Sequence, residues 1–131
     1  MNTRIKIFLV DDDAVFLKLL ETTLSQHLNF DIETYASGES CLAHLGHNPD
    51  IILLDYHLDG IDKDAMNGID TLTKIKTAHA DILVIMLSSQ DKMEIALDCM
   101  SHKATDYVLK NDTALLRLPL IINYISNSKH L

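Results

Sequence analysis

Three things are scarce in this 131-residue chain, and each scarcity argues against a class of proteins. The first is cysteine. Only Cys41 and Cys99 are present, far apart and each in apolar surroundings. They read as two reduced, buried thiols of a protein from a reducing compartment, not as a disulfide framework. The second is positive charge. Lys and Arg number 11 against 19 Asp and Glu, for a net charge of −8 and a pI near 5.1. That balance argues against direct nucleic-acid contact by this domain through bulk electrostatics. The third is length of apolar run, since none approaches the ~20 residues that a membrane span needs. Repeats, linkers and low-complexity tracts are missing too. Met1-Asn2-Thr3-Arg4-Ile5 passes directly into a strand pattern, with no signal-peptide signature. The expectation is one domain over residues 1–131, with a tail from about 127, in the cytoplasm and away from membranes. The hydrophobic fraction of 47% is ample for a core and argues against disorder.

What is present alternates. Ile51-Ile52-Leu53-Leu54 is an unbroken apolar run that ends in Asp55. Such a run marks a strand buried on both faces, as in a parallel sheet. Ile5 to Val10, ending in Asp11-Asp12-Asp13, and Ile82 to Leu87, ending in Ser88-Ser89, have the same character. Tyr107-Val108-Leu109 is a short strand that runs into Lys110, and Phe30 to Tyr35 alternates as an edge strand does. Helical spacing follows each strand: Leu17, Leu20, Leu24 and Leu28; then Leu42 and Leu45; then Ile69, Leu72 and Ile75 after Gly68. Met93, Leu97 and Met100 share one face of the fourth helix, and Leu115, Leu118, Ile122 and Ile125 mark the last. Five β–α units in strict alternation predict an α/β fold, a doubly wound five-stranded parallel sheet of order 2-1-3-4-5 with helices on both faces.

In that fold the residues ending strands one, three, four and five meet on one rim. Here they are Asp11 and Asp12, Asp55, Ser88 and Lys110. Clustered carboxylates repel one another and are tolerable when a cation joins them. All-oxygen ligands with retained water favour Mg²⁺. A carboxylate nucleophile beside Mg²⁺ suits phosphoryl transfer, with a lysine and a hydroxyl for the phosphoryl oxygens. Each residue also has a plainer reading. Asp13 fits a helix cap, Ser89 is closer than Ser88 to the next helix and is the better cap of the two, and an isolated lysine is usually solvated.

These motifs, in this order, resemble the response-regulator receiver domain, the phospho-acceptor module of two-component signalling, over essentially the whole chain. Phe8 to Asp13 resembles the family's acidic motif, Asp50 to Asp55 its acceptor strand, Val84 to Ser89 its hydroxyl strand and Ala104 to Lys110 its last strand. The flavodoxin-like (β/α)5 fold follows from the resemblance as well. The resemblance implies that Asp55 takes a phosphoryl group from the phosphohistidine of a sensor histidine kinase or phosphotransfer protein. It implies Mg²⁺ shared by Asp11, Asp12, Asp55 and the backbone carbonyl of His57. Ser88 would turn toward the new phosphate, Tyr107 would swing inward as the switch aromatic, and Lys110 would pair with Asp55 at rest. The output would be the face formed by the fourth helix, fifth strand and fifth helix. It would be read by a downstream protein, a fused output domain or a phosphorylation-dependent homodimer. The resemblance implies a module that catalyses only its own aspartyl phosphorylation and dephosphorylation and is otherwise not an enzyme.

Two stretches depart from the family pattern. Asp59 stands where relatives commonly carry proline, and the helix-opening glycine is delayed to Gly68, an insertion of about five residues within 59–67. Asp59, Asp62 and Asp64 lack the spacing and terminal glutamate of a calcium loop, so a solvated surface loop is expected. Asn111 replaces the proline that commonly follows the lysine. His57 and Gln90 hold positions that tune phosphate lifetime in the family. His44 and His47 read as an exposed helix face and not as a metal pair. A haloacid-dehalogenase-type phosphatase, with Asp11 as nucleophile and Asp13 as acid, leaves Asp55 without work. A pseudo-receiver, which keeps the fold and lacks phosphorylation, leaves the complete acidic set without work.

Overall fold

The computed structural model describes residues 4–129. The N-terminal Met1 to Thr3 and the final His130-Leu131 of the expected tail lie outside the described residues. Strands β1 (Ile5–Val10), β2 (Phe30–Tyr35), β3 (Ile51–Asp55), β4 (Leu83–Ser88) and β5 (Asp106–Leu109) form one sheet. Their order is β2-β1-β3-β4-β5, with every neighbouring pair parallel. The predicted topology is the observed one. The reason lies in the apolar runs: β3 is buried at all five positions and β1 at five of six, so both need a helical layer on each face.

The strands divide their side chains between two cores, as a two-residue repeat requires. Phe8, Val10, Ile52, Leu54, Val84 and Met86 face one layer, built by α2 (Gly38–Ala43), α3 (Gly68–Ala78) and α4 (Met93–Ser101). Ile7, Leu9, Ile51, Leu53, Ile85 and Leu87 face the other, built by α1 (Ala14–Leu24) and α5 (Ala114–Lys129). Cys41 and Cys99 are both free and buried in the first layer. Burial pushes the Cys41 thiol up to about 12 and the Cys99 thiol up to about 11. Neither is a reactive thiolate. At the α2–α3 contact a Cβ on Gly38 would lie 2.1 Å from Thr71 Oγ1, so glycine is what lets these helices meet.

Several local expectations are corrected. Helix α1 ends at Leu24, and Leu28 lies beyond it, 92% exposed. The second helix stops at Ala43, and Leu45 reaches the core from a separate 3₁₀ turn, Leu45–His47. Helix α5 runs through to Lys129, so the stretch expected to be a tail from 127 continues the helix as far as it is described, despite Pro119 inside it. His44 is not on a free face. Its ring stacks on Tyr35 at 5.0 Å, and Nδ1 is 2.8 Å from the Ser40 carbonyl.

The edge strand β2 is buried at Phe30 and half-buried at its other five positions, so both of its faces are partly wet, where the alternation predicts one. Glu33 gathers Lys6, the Tyr35 hydroxyl and His47 Nδ1. Burial pushes its carboxyl up, but those three partners outweigh burial and bring it down to about 2. A charged, fully occupied strand of this kind discourages edge-to-edge pairing.

Candidate functional site

Parallel register assembles the site. Val10 pairs with Leu54 and Asp55 with Leu87. Asp11, one residue beyond β1, therefore lies level with Asp55 at the end of β3. Lys110 follows β5 directly, and its N–H donates to the Ser88 carbonyl at 2.8 Å, which fixes where the lysine leaves the sheet. The Lys110 ammonium is 2.6 Å from Asp11 Oδ2 and 3.2 Å from Asp55 Oδ1. The expected resting pair of Lys110 with Asp55 is present, but the shorter contact is to Asp11. The Phe16 ring lies 4.7 Å below the same ammonium, a cation–π contact that holds the charge in place.

The three aspartates converge. Asp11, Asp12 and Asp55 each offer a carboxylate oxygen, and these oxygens lie within 4.8 Å of one another. Asp11 and Asp55 are buried and Asp12 is half-buried. Asp11 Oδ1 accepts the Asp13 N–H at 2.9 Å, and Asp12 Oδ2 accepts the Ile61 N–H at 3.2 Å. Burial, and then the nearby charge of Asp11, push the Asp55 carboxyl up to about 7, with Lys110 opposing them. Burial pulls Lys110 down, but its two carboxylate partners outweigh that and leave it above the usual lysine value. One ammonium among three carboxylates leaves a net negative, partly desolvated cluster. That is the electrostatic setting of a hard-cation site.

The residues fit such a cation. Asp11 Oδ2 is buried, and its contact is the Lys110 ammonium at 2.6 Å, a cation already drawn to this oxygen. The His57 carbonyl also belongs to this rim. A Cβ on Gly60 would stand 3.6 Å from it and 3.5 Å from Asp12 Oδ2, so both oxygens border the same small space. The acidic loop residues Asp59, Asp62 and Asp64 do not join the cluster. Asp62 instead accepts the Asp64 N–H at 3.0 Å within its own turn.

Ser88 is fully buried at the end of β4, and its Oγ accepts the Gln90 N–H at 3.1 Å. It is engaged there and not with Asp55. Tyr107 is half-buried against the first core, with its hydroxyl donating to the Gln90 carbonyl at 2.6 Å. Ser88 and Tyr107 thus meet through the same residue, Gln90. Asp13 is the cap of α1, its Oδ1 accepting from Val15 and Phe16. Ser89 is not the cap of α4. That position belongs to Lys92, which offers no side-chain cap, because three more residues intervene before the helix begins. The Lys110–Asn111 peptide is trans.

Sequence reasoning missed three members of this site. Phe16 was legible only as an aromatic in the first turn after the acidic motif. Tyr56, whose hydroxyl donates to Asp98 Oδ2 at 3.1 Å, carried no signal beyond following Asp55. The Ile61 amide is a backbone group, and no residue type announces it.

The comparisons agree with this geometry. A model of the response regulator receiver domain family matches residues 7–118. The luminescence regulatory protein LuxO of Vibrio campbellii is 30% identical over 103 residues, covering 78% of this chain and 21% of that protein. The protein-glutamate methylesterase/protein-glutamine glutaminase of Clostridium acetobutylicum is 33% identical over 111 residues, 82% of this chain and 31% of that protein. The chain therefore spans between a fifth and a third of the length of these relatives. Among solved structures, the receiver domain of NtrX from Brucella abortus superposes with a TM-score of 0.78 at 27% identity, covering 90% of this chain and 95% of that one. With its strand order, its acidic cluster and the match over residues 7–118, the chain belongs to the response regulator receiver domain family, the phospho-acceptor modules of two-component signalling.

Proposed function

We propose that Asp55 is the phospho-acceptor and that Asp11, Asp12, Asp55 and the His57 carbonyl hold Mg²⁺ for the reaction. The observation that carries this reading is the Lys110 ammonium lodged between two buried carboxylates, Asp11 and Asp55, beside a third. Bound Mg²⁺ supplies charge neutralisation for the carboxylates and the incoming phosphoryl oxygens. The Asp55 carboxylate attacks the phosphorus of a phosphohistidine, the P–N bond breaks, and the imidazole leaves as a neutral ring after taking a proton. The product is an acyl phosphate on Asp55.

Lys110 then has a phosphoryl oxygen to pair with in place of Asp55 Oδ1. Ser88 reaches the phosphate by releasing the Gln90 N–H, and Tyr107 is freed by the same movement because its hydroxyl rests on the Gln90 carbonyl. Added charge thus recruits a hydroxyl and an ammonium, and the loop between β4 and α4 repacks. The face that responds carries Met93, Leu97 and Met100 on α4 and Leu116, Leu120 and Tyr124 on α5, all exposed. Exposed apolar side chains at this spacing suit a downstream protein, a fused output domain or a second copy of the chain. The chemistry occurs once on the chain's own carboxylate, which makes the module a switch and not a turnover enzyme. No described helix is long and apolar enough to cross a membrane. We place its action in the cytoplasm, where kinases, Mg²⁺ and reduced thiols coexist.

Intact-mass spectrometry after incubation with Mg²⁺ and acetyl phosphate tests the reading. One added phosphate that hydroxylamine removes, and that Asp55→Asn abolishes, is the expected result. No adduct and no Mg²⁺ binding would make the chain a pseudo-receiver. An adduct that survives Asp55→Asn and is lost in Asp11→Asn would make Asp11 the nucleophile of a phosphatase.

A further inference from the structure

We propose that the inserted loop 59–67 positions a metal ligand: the Ile61 amide holds the Asp12 carboxylate in place, so that Mg²⁺ binding and closure of this loop are coupled. The inference rests on the reading of Asp11, Asp12 and Asp55 as a Mg²⁺ site, and it adds a role for residues that reading does not use.

The three carboxylates are not held equally. Asp11 is fixed on both oxygens, by the Asp13 N–H and by Lys110, and Asp55 is held by Lys110. Asp12 is the half-buried member and has no cation of its own among the described residues. Its one hydrogen bond there is the 3.2 Å contact from the Ile61 N–H to Oδ2. A half-exposed carboxylate samples several rotamers, and that freedom is lost when it ligates a cation. A backbone donor that fixes the carboxylate beforehand lowers that cost.

The loop is built to make this contact. Its far end is tied independently, with the Met66 N–H donating to Glu39 Oε2 at 2.9 Å and Asn67 capping α3 through the Asp70 N–H at 2.8 Å. Its middle turns on Asp62, which accepts from Asp64 and Ala65. Only its near end touches the site. There Gly60, lacking a side chain, leaves open the gap between Asp12 Oδ2 and the His57 carbonyl. The Ile61 side chain is 75% exposed, so burial of that side chain does not hold the loop down. The near end of the loop, which meets the site through one hydrogen bond to a ligand carboxylate, closes more firmly when that carboxylate is fixed by a cation. Reciprocity then requires loop closure to tighten the cation by the same factor.

The test uses Mg²⁺ alone on the unphosphorylated full chain. Calorimetry gives the Mg²⁺ affinity, and amide hydrogen exchange by NMR gives the protection of residues 59–67. Saturating Mg²⁺ is expected to slow exchange at the Ile61 amide by roughly threefold to tenfold, the scale of one net hydrogen bond. Ile61→Pro, which removes the N–H, is expected to weaken Mg²⁺ by the same factor. Ile61→Ala, which keeps the N–H, is expected to leave the affinity unchanged. If the wild type binds Mg²⁺ while the Ile61 amide does not respond, the loop role is overturned and the metal site stands. Equal weakening by Ile61→Ala and Ile61→Pro also overturns it, because the side chain would then be responsible. If the wild type binds no Mg²⁺, both readings fall.

Discussion

The Tyr56 hydroxyl donates to Asp98 Oδ2 at 3.1 Å, and this bond ties the residue after Asp55 to helix α4. The other oxygen of Asp98 is 3.4 Å from His102 Nδ1 at the end of the same helix. Helix α4 is otherwise lightly held: it buries only Ile95 and Cys99 and has no side-chain N-cap. Tyr56→Phe is therefore expected to cost about 1 kcal/mol of stability. Its clearer effect is faster amide exchange along 93–101 with Mg²⁺ affinity unchanged. Unaltered exchange there would show that the bond does not restrain the helix.

Asp55 sets a pH dependence. Its carboxyl is raised to about 7 in the fold by burial and by Asp11, against ~3.9 in an unfolded chain. Between these values the folded protein keeps a proton that the unfolded chain releases. Stability in metal-free buffer therefore falls as pH rises from about 4 to about 7 and stays low above. Asp55→Asn removes that loss. It should melt about 5 °C higher than wild type at pH 8 without Mg²⁺, with the gap closing toward pH 4. A gap that is constant with pH would refute the raised value.

Lys110 neutralises part of the acidic cluster from a largely buried position. Lys110→Met leaves Asp11 and Asp55 without their counter-charge, at a cost of about 3 kcal/mol by urea unfolding in EDTA. Mg²⁺ should restore part of that loss, since it supplies positive charge to the same oxygens. Equal losses in EDTA and in Mg²⁺ would mean the lysine acts through packing, including its contact with Phe16.

Gly68 opens α3 against the end of β3. A Cβ there would lie 2.4 Å from the Asp55 carbonyl and 2.7 Å from Tyr56 Cα, both backbone atoms that cannot rotate away. Gly68→Ala is expected to cost about 2 kcal/mol and to slow phosphorylation by acetyl phosphate, because relief requires Asp55 and Tyr56 to shift. A variant of wild-type stability would show that the loop yields without strain.

The apolar runs that end in Asp55, Ser88 and Lys110 determined the fold and most of the site. A strand buried on both faces admits only apolar residues, so the first polar residue marks where the sheet ends and the rim begins. Lys110 was legible as a site residue by its place after β5, but its shorter contact to Asp11 was not, because β1 and β5 are not neighbours and the contact depends on how the lysine side chain crosses the rim. Ser89 was misread as a cap because helix starts depend on backbone turns that residue type does not fix. Leu28 continued a helical period that the chain abandons at Leu24, since spacing says nothing about where packing partners end. His44 was hidden by its partner Tyr35, on a strand nine residues away in sequence. The Tyr56–Asp98 and Ile61–Asp12 bonds join segments more than 40 residues apart. Sequence by itself determined which residues stand on the rim. Only the tertiary structure decided which of them touch, because side-chain contacts across a sheet depend on register and helix docking that no local pattern encodes.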